Sequence, residues 1–165
     1  MKNLMIIILT TALSMPILCS AQNKHKPDLK PYSQFAPDTV AYLKTNFGSG
    51  GFNFYGGRPV KHLLDDIDLE IKIIEIVISG SSDNKRAWQL NFFVESPDQL
   101  RFSDGYICNS PVTVTLKHQY QKKDGEIYDL LTEGHTDRYW KPFDEKMRKL
   151  VEPLIMGLVN YHDDN

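Results

Sequence analysis

Glu133-Gly134-His135-Thr136-Asp137-Arg138 is the segment of the 165-residue chain with the most chemically capable side chains. In an extended segment Glu133, His135 and Asp137 project to one side. A carboxylate, an imidazole and a second carboxylate can serve as base, shuttle and orienter, or as a facial metal set. That reading describes a small metal-dependent hydrolase, with His118 as an outlying helper. Gly134 loosens the spacing, however, and polar loops assemble such triplets by composition alone. Tyr139-Trp140, next in the chain, suits a binding edge equally well.

His62 and Asp66 lie four apart and share one face of a helix. Two ligands make only half a metal site, and a solvated helix surface accounts for the same pair. Gly48-Ser49-Gly50-Gly51 and Gly56-Gly57 form a glycine-rich stretch. A phosphate loop needs a strand before it and Gly-Lys-Ser/Thr after it. Here a helix pattern precedes and Arg58-Pro59 follows, so no nucleotide site is expected. The residues assign no catalytic group, no metal and no cofactor. Phe52, Phe54, Tyr55 and Arg58, with Tyr139 and Trp140, remain as candidates for a binding surface, although packing into the core is the ordinary fate of loop aromatics.

The elements that hold these residues follow from periodicity. Pro37-Asp38 opens a helix capped by Asp38, with Val40, Leu43 and Phe47 on one face and Gly48 as its stop. Pro59 begins a second helix, and Val60, Leu63, Leu64 and Ile67 form its apolar stripe. Leu69–Ile78 and Arg86–Glu95 then pair as a hairpin across a polar loop. The second of these strands puts Trp88, Leu90, Phe92 and Val94 on one side and Gln89, Asn91 and Glu95 on the other. A phase change at Ile73-Ile74 predicts a bulge there. Leu100–Ile107 reads as an edge strand broken at Asp104-Gly105. Val112–Tyr120 alternates inward and outward, with His118 on the inward register. Asp124-Gly125 predicts a hairpin turn returning through Glu126–Leu131. After Pro142 a long apolar stripe from Phe143 to Val159 predicts a last helix, kinked or divided at Pro153. The fold class is α+β: an antiparallel meander of three to five strands with helices packed on one face, in the order helix, helix, strands, helix.

Lys2, the apolar run Leu4–Leu18 and Cys19-Ser20-Ala21 have the layout of a cleaved leader, with the cut expected between Ala21 and Gln22. Residues 1–21 are thus a signal peptide, 22–34 a mobile arm, 35–161 one domain and 162–165 a polar tail. Leu18 stands where a lipoprotein signal has a small residue, which argues against a lipid anchor at Cys19. The formal charge is −2. Such a balance gives no basic face for nucleic acid. Past the leader only Cys108 remains, so no internal disulfide is expected and stability must come from a core. No later run is long enough to cross a membrane as a helix. The chain is expected to be exported, to the periplasm or outside the cell.

Three short segments carry a resemblance: Tyr42-Leu43-Lys44, Tyr55-Gly56-Gly57-Arg58-Pro59 and Leu63-Leu64-Asp65-Asp66. With the leader and Gln22, they resemble small exported Bacteroidetes proteins of unknown function, a likeness that implies export and no particular activity. The opening helix–helix–strand order is also similar to periplasmic folds shared by β-lactamase inhibitor proteins and outer-membrane assembly lipoproteins. Fold likeness does not carry function. The leading expectation is a non-catalytic module, of inhibitor or immunity type, whose partner is another protein. A hydrolase built on Glu133, His135 and Asp137 is the second, and an envelope structural or assembly component the third.

Overall fold

The computed structural model describes residues 26–48, 52–81, 84–103, 106–107, 109–121, 125–135 and 137–161. The leader with Cys19, the side chain of Phe52, Cys108 and the polar tail lie outside the described residues.

The first helix, α1 (Thr39–Phe47), starts where Asp38 accepts a hydrogen bond from the Ala41 N–H at 2.9 Å. This cap satisfies one of the donors that a helix start leaves open. Tyr42, Leu43, Asn46 and Phe47 are buried, whereas Val40, expected inward, faces solvent. The i, i+1, i+4, i+5 spacing of the buried set explains the difference: the buried stripe is centred between Tyr42 and Leu43, and Val40 lies off it. A short helix, α2 (Phe52–Tyr55), leads to α3 (Val60–Asp66). Pro59 stands one position before α3, as its extended N-cap, rather than as its first helical residue. Val60, Leu63 and Leu64 are buried. A seven-residue helix is marginal alone. Each fully buried aliphatic side chain contributes about 1.5–3 kcal/mol, so packing, not propensity, holds it.

The segment read as a mobile arm is tied down from Lys26 onward. Lys30 N–H donates to Asn46 Oδ1 and Asn46 Nδ2 returns a bond to Lys30 O, both at 2.8 Å. Tyr32 N–H donates to Asp68 at 2.9 Å, beside a 3-10 turn at Tyr32–Gln34. Buried Asn46 finds its partners in this arm, which is why the arm stays against the domain.

Five strands form one antiparallel sheet: β1 (Ile73–Ser79), β2 (Arg86–Phe93), β5 (Val112–Gln121), β6 (Tyr139–Pro142) and β7 (Met156–Tyr161). Their order is β6-β1-β2-β5-β7. The expected α+β class holds, and β1-β2-β5 keep the meander order. The outer strands do not, because β6 and β7 are laid on opposite edges. A separate two-stranded hairpin, β3 (Phe102–Ser103) with β4 (Tyr106–Ile107), replaces the predicted edge strand.

Two predicted elements change type. Glu126–Leu131 is not a strand but helix α4 (Glu126–Thr132), entered through Gly125 at φ 64°. Its buried residues Tyr128, Leu131 and Thr132 repeat at i, i+3, i+4, a helical period that outweighs the hairpin signal of Asp124-Gly125. The long last helix is also divided. Helix α5 (Glu145–Val151) ends before Pro153, and the chain re-enters the sheet as β7. The predicted bulge at Ile73-Ile74 is absent from that pairing; the β1–β2 register shifts instead between Val77 and Ile78.

One face of the sheet carries Ile74, Ile76, Ile78, Leu90, Phe92, Val112, Val114 and Val159. Tyr42 and Phe47 of α1, Leu63 of α3, Leu131 of α4 and Val151 of α5 join them in one buried cluster. Ala87 rather than Trp88 takes the inward position, because β2 carries an extra residue between Ala87 and Gln89. The opposite face was expected to be wet. Part of it is covered: Ile73, Phe93 and Leu100 form a second small cluster with Ile107 of β4.

Candidate functional site

The Glu133, His135 and Asp137 side chains do not assemble. Glu133 ends α4 at φ 47° and Gly134 follows at φ 80°. The backbone turns there instead of extending, so side chains two apart no longer share a side. Glu133 pairs with Lys141, and this contact holds its carboxyl below the usual carboxylate range. His135 stacks on the Tyr139 ring, centroids 4.1 Å apart and 11° from parallel. Asp137 accepts from the Arg138 N–H at 2.7 Å. All three are exposed. Among the described residues no group of three His, Cys, Asp or Glu is placed to hold a metal ion.

The other candidates are also dispersed. His118 is exposed, not inward; the irregular β2–β5 pairing below Thr115 takes it off the buried register. His62 is exposed, and Asp66 is engaged by Lys26 at 2.6 Å and by the Tyr55 hydroxyl at 3.0 Å. Tyr55 is buried, packed against Phe47 and Phe54, and burial beside Asp66 pushes its phenol up. Phe54 is half-buried, with the Arg58 guanidinium 4.0 Å from its ring centre. Arg58 also donates to Phe54 O at 2.8 Å, so the pair braces the turn before α3. Tyr139 is half-buried, with its hydroxyl donating to Leu131 O. Of the proposed surface aromatics with described side chains, Trp140 is the one left exposed, at 39%.

Trp140 belongs to a feature the sequence reading did not assemble. Residues directly opposite in an antiparallel pair share a face. The register aligns Trp140, Glu75, Asn91, Thr113 and Asn160 in a single row across all five strands. Asn91 is the hub. Its Nδ2 donates to Glu75 Oε2 at 2.6 Å, and its Oδ1 accepts from Gln89 at 2.8 Å and Thr113 at 3.0 Å. Arg138 approaches Glu75 Oε1 at 3.8 Å. Glu75 is 2% exposed. Burial raises its carboxyl above the usual range, while Asn91 and Arg138 act to lower it. A buried charge is tolerated only when it is paired and hydrogen-bonded, and here both conditions are met. So enclosed, Glu75 has no opening to a substrate; its role is to fix the row.

Above the row, Trp140 meets Phe102 of β3, ring centroids 5.8 Å apart and planes 40° from parallel. Phe102 is 48% exposed. The hairpin and the sheet thus hold two large rings side by side at the border of a polar strip. The signal for this row was the single charge in the apolar run Ile73-Ile74-Glu75-Ile76-Val77-Ile78.

No family model matches the chain, and neither the curated proteins nor the solved structures contain a match to it. Among the described residues no helix is long and apolar enough to cross a membrane.

Proposed function

We propose that the chain is an exported, non-catalytic protein-binding module, and that Trp140 and Phe102 anchor its partner. The carrying observation is that tilted ring pair, contributed by two separate strands, with Phe102 48% and Trp140 39% exposed. Large aromatic side chains dominate binding energy where they are fixed and flanked by groups that exclude water or form hydrogen bonds. The half-buried polar groups of Gln89 and Thr113 continue a polar strip inward across the sheet from Trp140. An inhibitor or immunity protein is one form this takes: a fixed surface that plugs a partner without chemistry of its own. Export rests on the leader pattern in residues 1–21.

The test is a pull-down from periplasmic extract with the intact domain, Trp140→Ala and Phe102→Ala. Each aromatic is exposed, so both variants should fold. A partner held by the domain and lost from both variants supports the reading. Truncating such an anchor costs about 2 kcal/mol, roughly thirtyfold in affinity. A partner retained equally by all three proteins would remove this surface from the account.

A further inference from the structure

We propose that a second site lies between α4 and α5 and binds a single-chain anionic amphiphile, an alkyl chain ending in a carboxylate. It is independent of the Trp140 surface. The cavity there has a volume of 380 Å³, within the range of small-ligand sites, which begins near about 300 Å³. Leu130 of α4 and Met147 and Leu150 of α5 give it an apolar lining. Methionine adapts to the shape of a flexible chain. Helix α4 buries Tyr128 and Leu131 but leaves Leu130 and Ile127, three residues apart, each 41% exposed. The outer side of a helix that covers a core is ordinarily polar. This one presents an apolar strip beside an apolar cavity.

The charge around that cavity is uneven. Lys141, Lys146 and Lys149 line it, against Asp129 and Glu133. Glu133 is neutralised by Lys141. Lys149 reaches Glu145 at 3.4 Å, but both side chains are largely exposed and such a pair contributes little. Lys146 makes no ion pair within 4 Å among the described residues. Lys146 is therefore the ammonium group most open to an anionic head, although it also acts on the nearby Glu133 carboxyl; Lys149 is held only by its exposed pair with Glu145, and Asp129 is the opposing charge. An alkyl carboxylate satisfies both halves of this arrangement: chain on the leucines and methionine, head between the lysines. A neutral chain uses only the first half, and a cationic one is repelled by the second.

Calorimetry with dodecanoate, held below micelle formation, tests the site on the intact protein. Lys146→Glu and Leu130→Ser change exposed positions and should leave the fold in place, as circular dichroism will report. Dodecanoate is expected to bind, with each variant about tenfold weaker: the first adds a repulsion to a lost attraction, the second strips apolar contact. Dodecanol should bind more weakly than dodecanoate, and Trp140→Ala should bind as the parent does. Absence of binding, parental affinity in both cavity variants, or dodecanol binding as tightly as dodecanoate would each overturn the proposal. So would co-sedimentation with phosphatidylglycerol vesicles in the absence of dodecanoate binding, which would transfer the chemistry to a membrane surface.

Discussion

Asn91→Ala probes the polar row most directly. Its side chain makes three hydrogen bonds, one of them to the buried carboxyl of Glu75. A bond to an ionised acceptor contributes roughly 1.5–3 kcal/mol, and a neutral one about 1 kcal/mol. Gln89 and Thr113 are half-buried and can turn to water, so most of the loss falls on Glu75. The expected cost near neutral pH is about 3 kcal/mol, a fall in Tm of roughly 10 °C for a domain of this size. The cost should depend on pH. Burial already raises Glu75, and Asn91 is one of the two groups that hold it down. Without Asn91 its folded pKa rises further. A carboxyl with a folded pKa above its unfolded one holds extra protons when folded. Its contribution is complete below the unfolded pKa and is lost as pH rises through the folded pKa. In the variant that loss is larger and reaches higher pH. Urea unfolding from about pH 4 to about pH 8 should therefore show a small penalty in acid that grows toward neutrality. In a Glu75→Gln background the same substitution should cost about 1 kcal/mol and be flat with pH. A penalty equal at every pH, or greatest in acid, would refute the assignment of Glu75 as the group that depends on Asn91.

Two further substitutions test the supports of the N-terminal helices. Tyr55→Phe removes the bond to Asp66 and should cost about 1–2 kcal/mol in urea unfolding, with the ring packing against Phe47 retained. Gly48→Ala should cost more than 1 kcal/mol, because a Cβ there collides with the Lys44 carbonyl that closes α1; an unchanged midpoint would show that the α1 end is free to shift.

What was legible in the chain was local. Asp38, Gly48 and the stripe Val60, Leu63, Leu64 mark α1 and α3 because caps and periods act within a few residues. The β1–β2 hairpin and β5 are readable from alternation. The failures occur where distant residues decide. Leu154, Ile155, Leu158 and Val159 satisfy a helical stripe, yet Pro153 and pairing with β5 make the second half of that stretch a strand. Asp124-Gly125 favours a hairpin, yet the sheet already has β7 beside β5, and Tyr128, Leu131 and Thr132 bury as a helix. The Glu133, His135 and Asp137 reading assumed an extended backbone, and the left-handed residue at Glu133 removes that assumption. The Glu75 row was invisible for a different reason. Its members lie on different strands, and only register brings them together.

The placement of β7 ties the turn before α3 to residues far along the chain. Met156 exchanges backbone hydrogen bonds with Gly57 and Arg58, and Leu154 O accepts from Val60 N–H. The turn that launches α3 is therefore fastened by residues synthesised about a hundred positions later. That junction waits for β7, and until it is made α1 and α2 lack the strand they pack against. Growth on the ribosome would leave the turn before α3 unfastened until Leu154 and Met156 have been made.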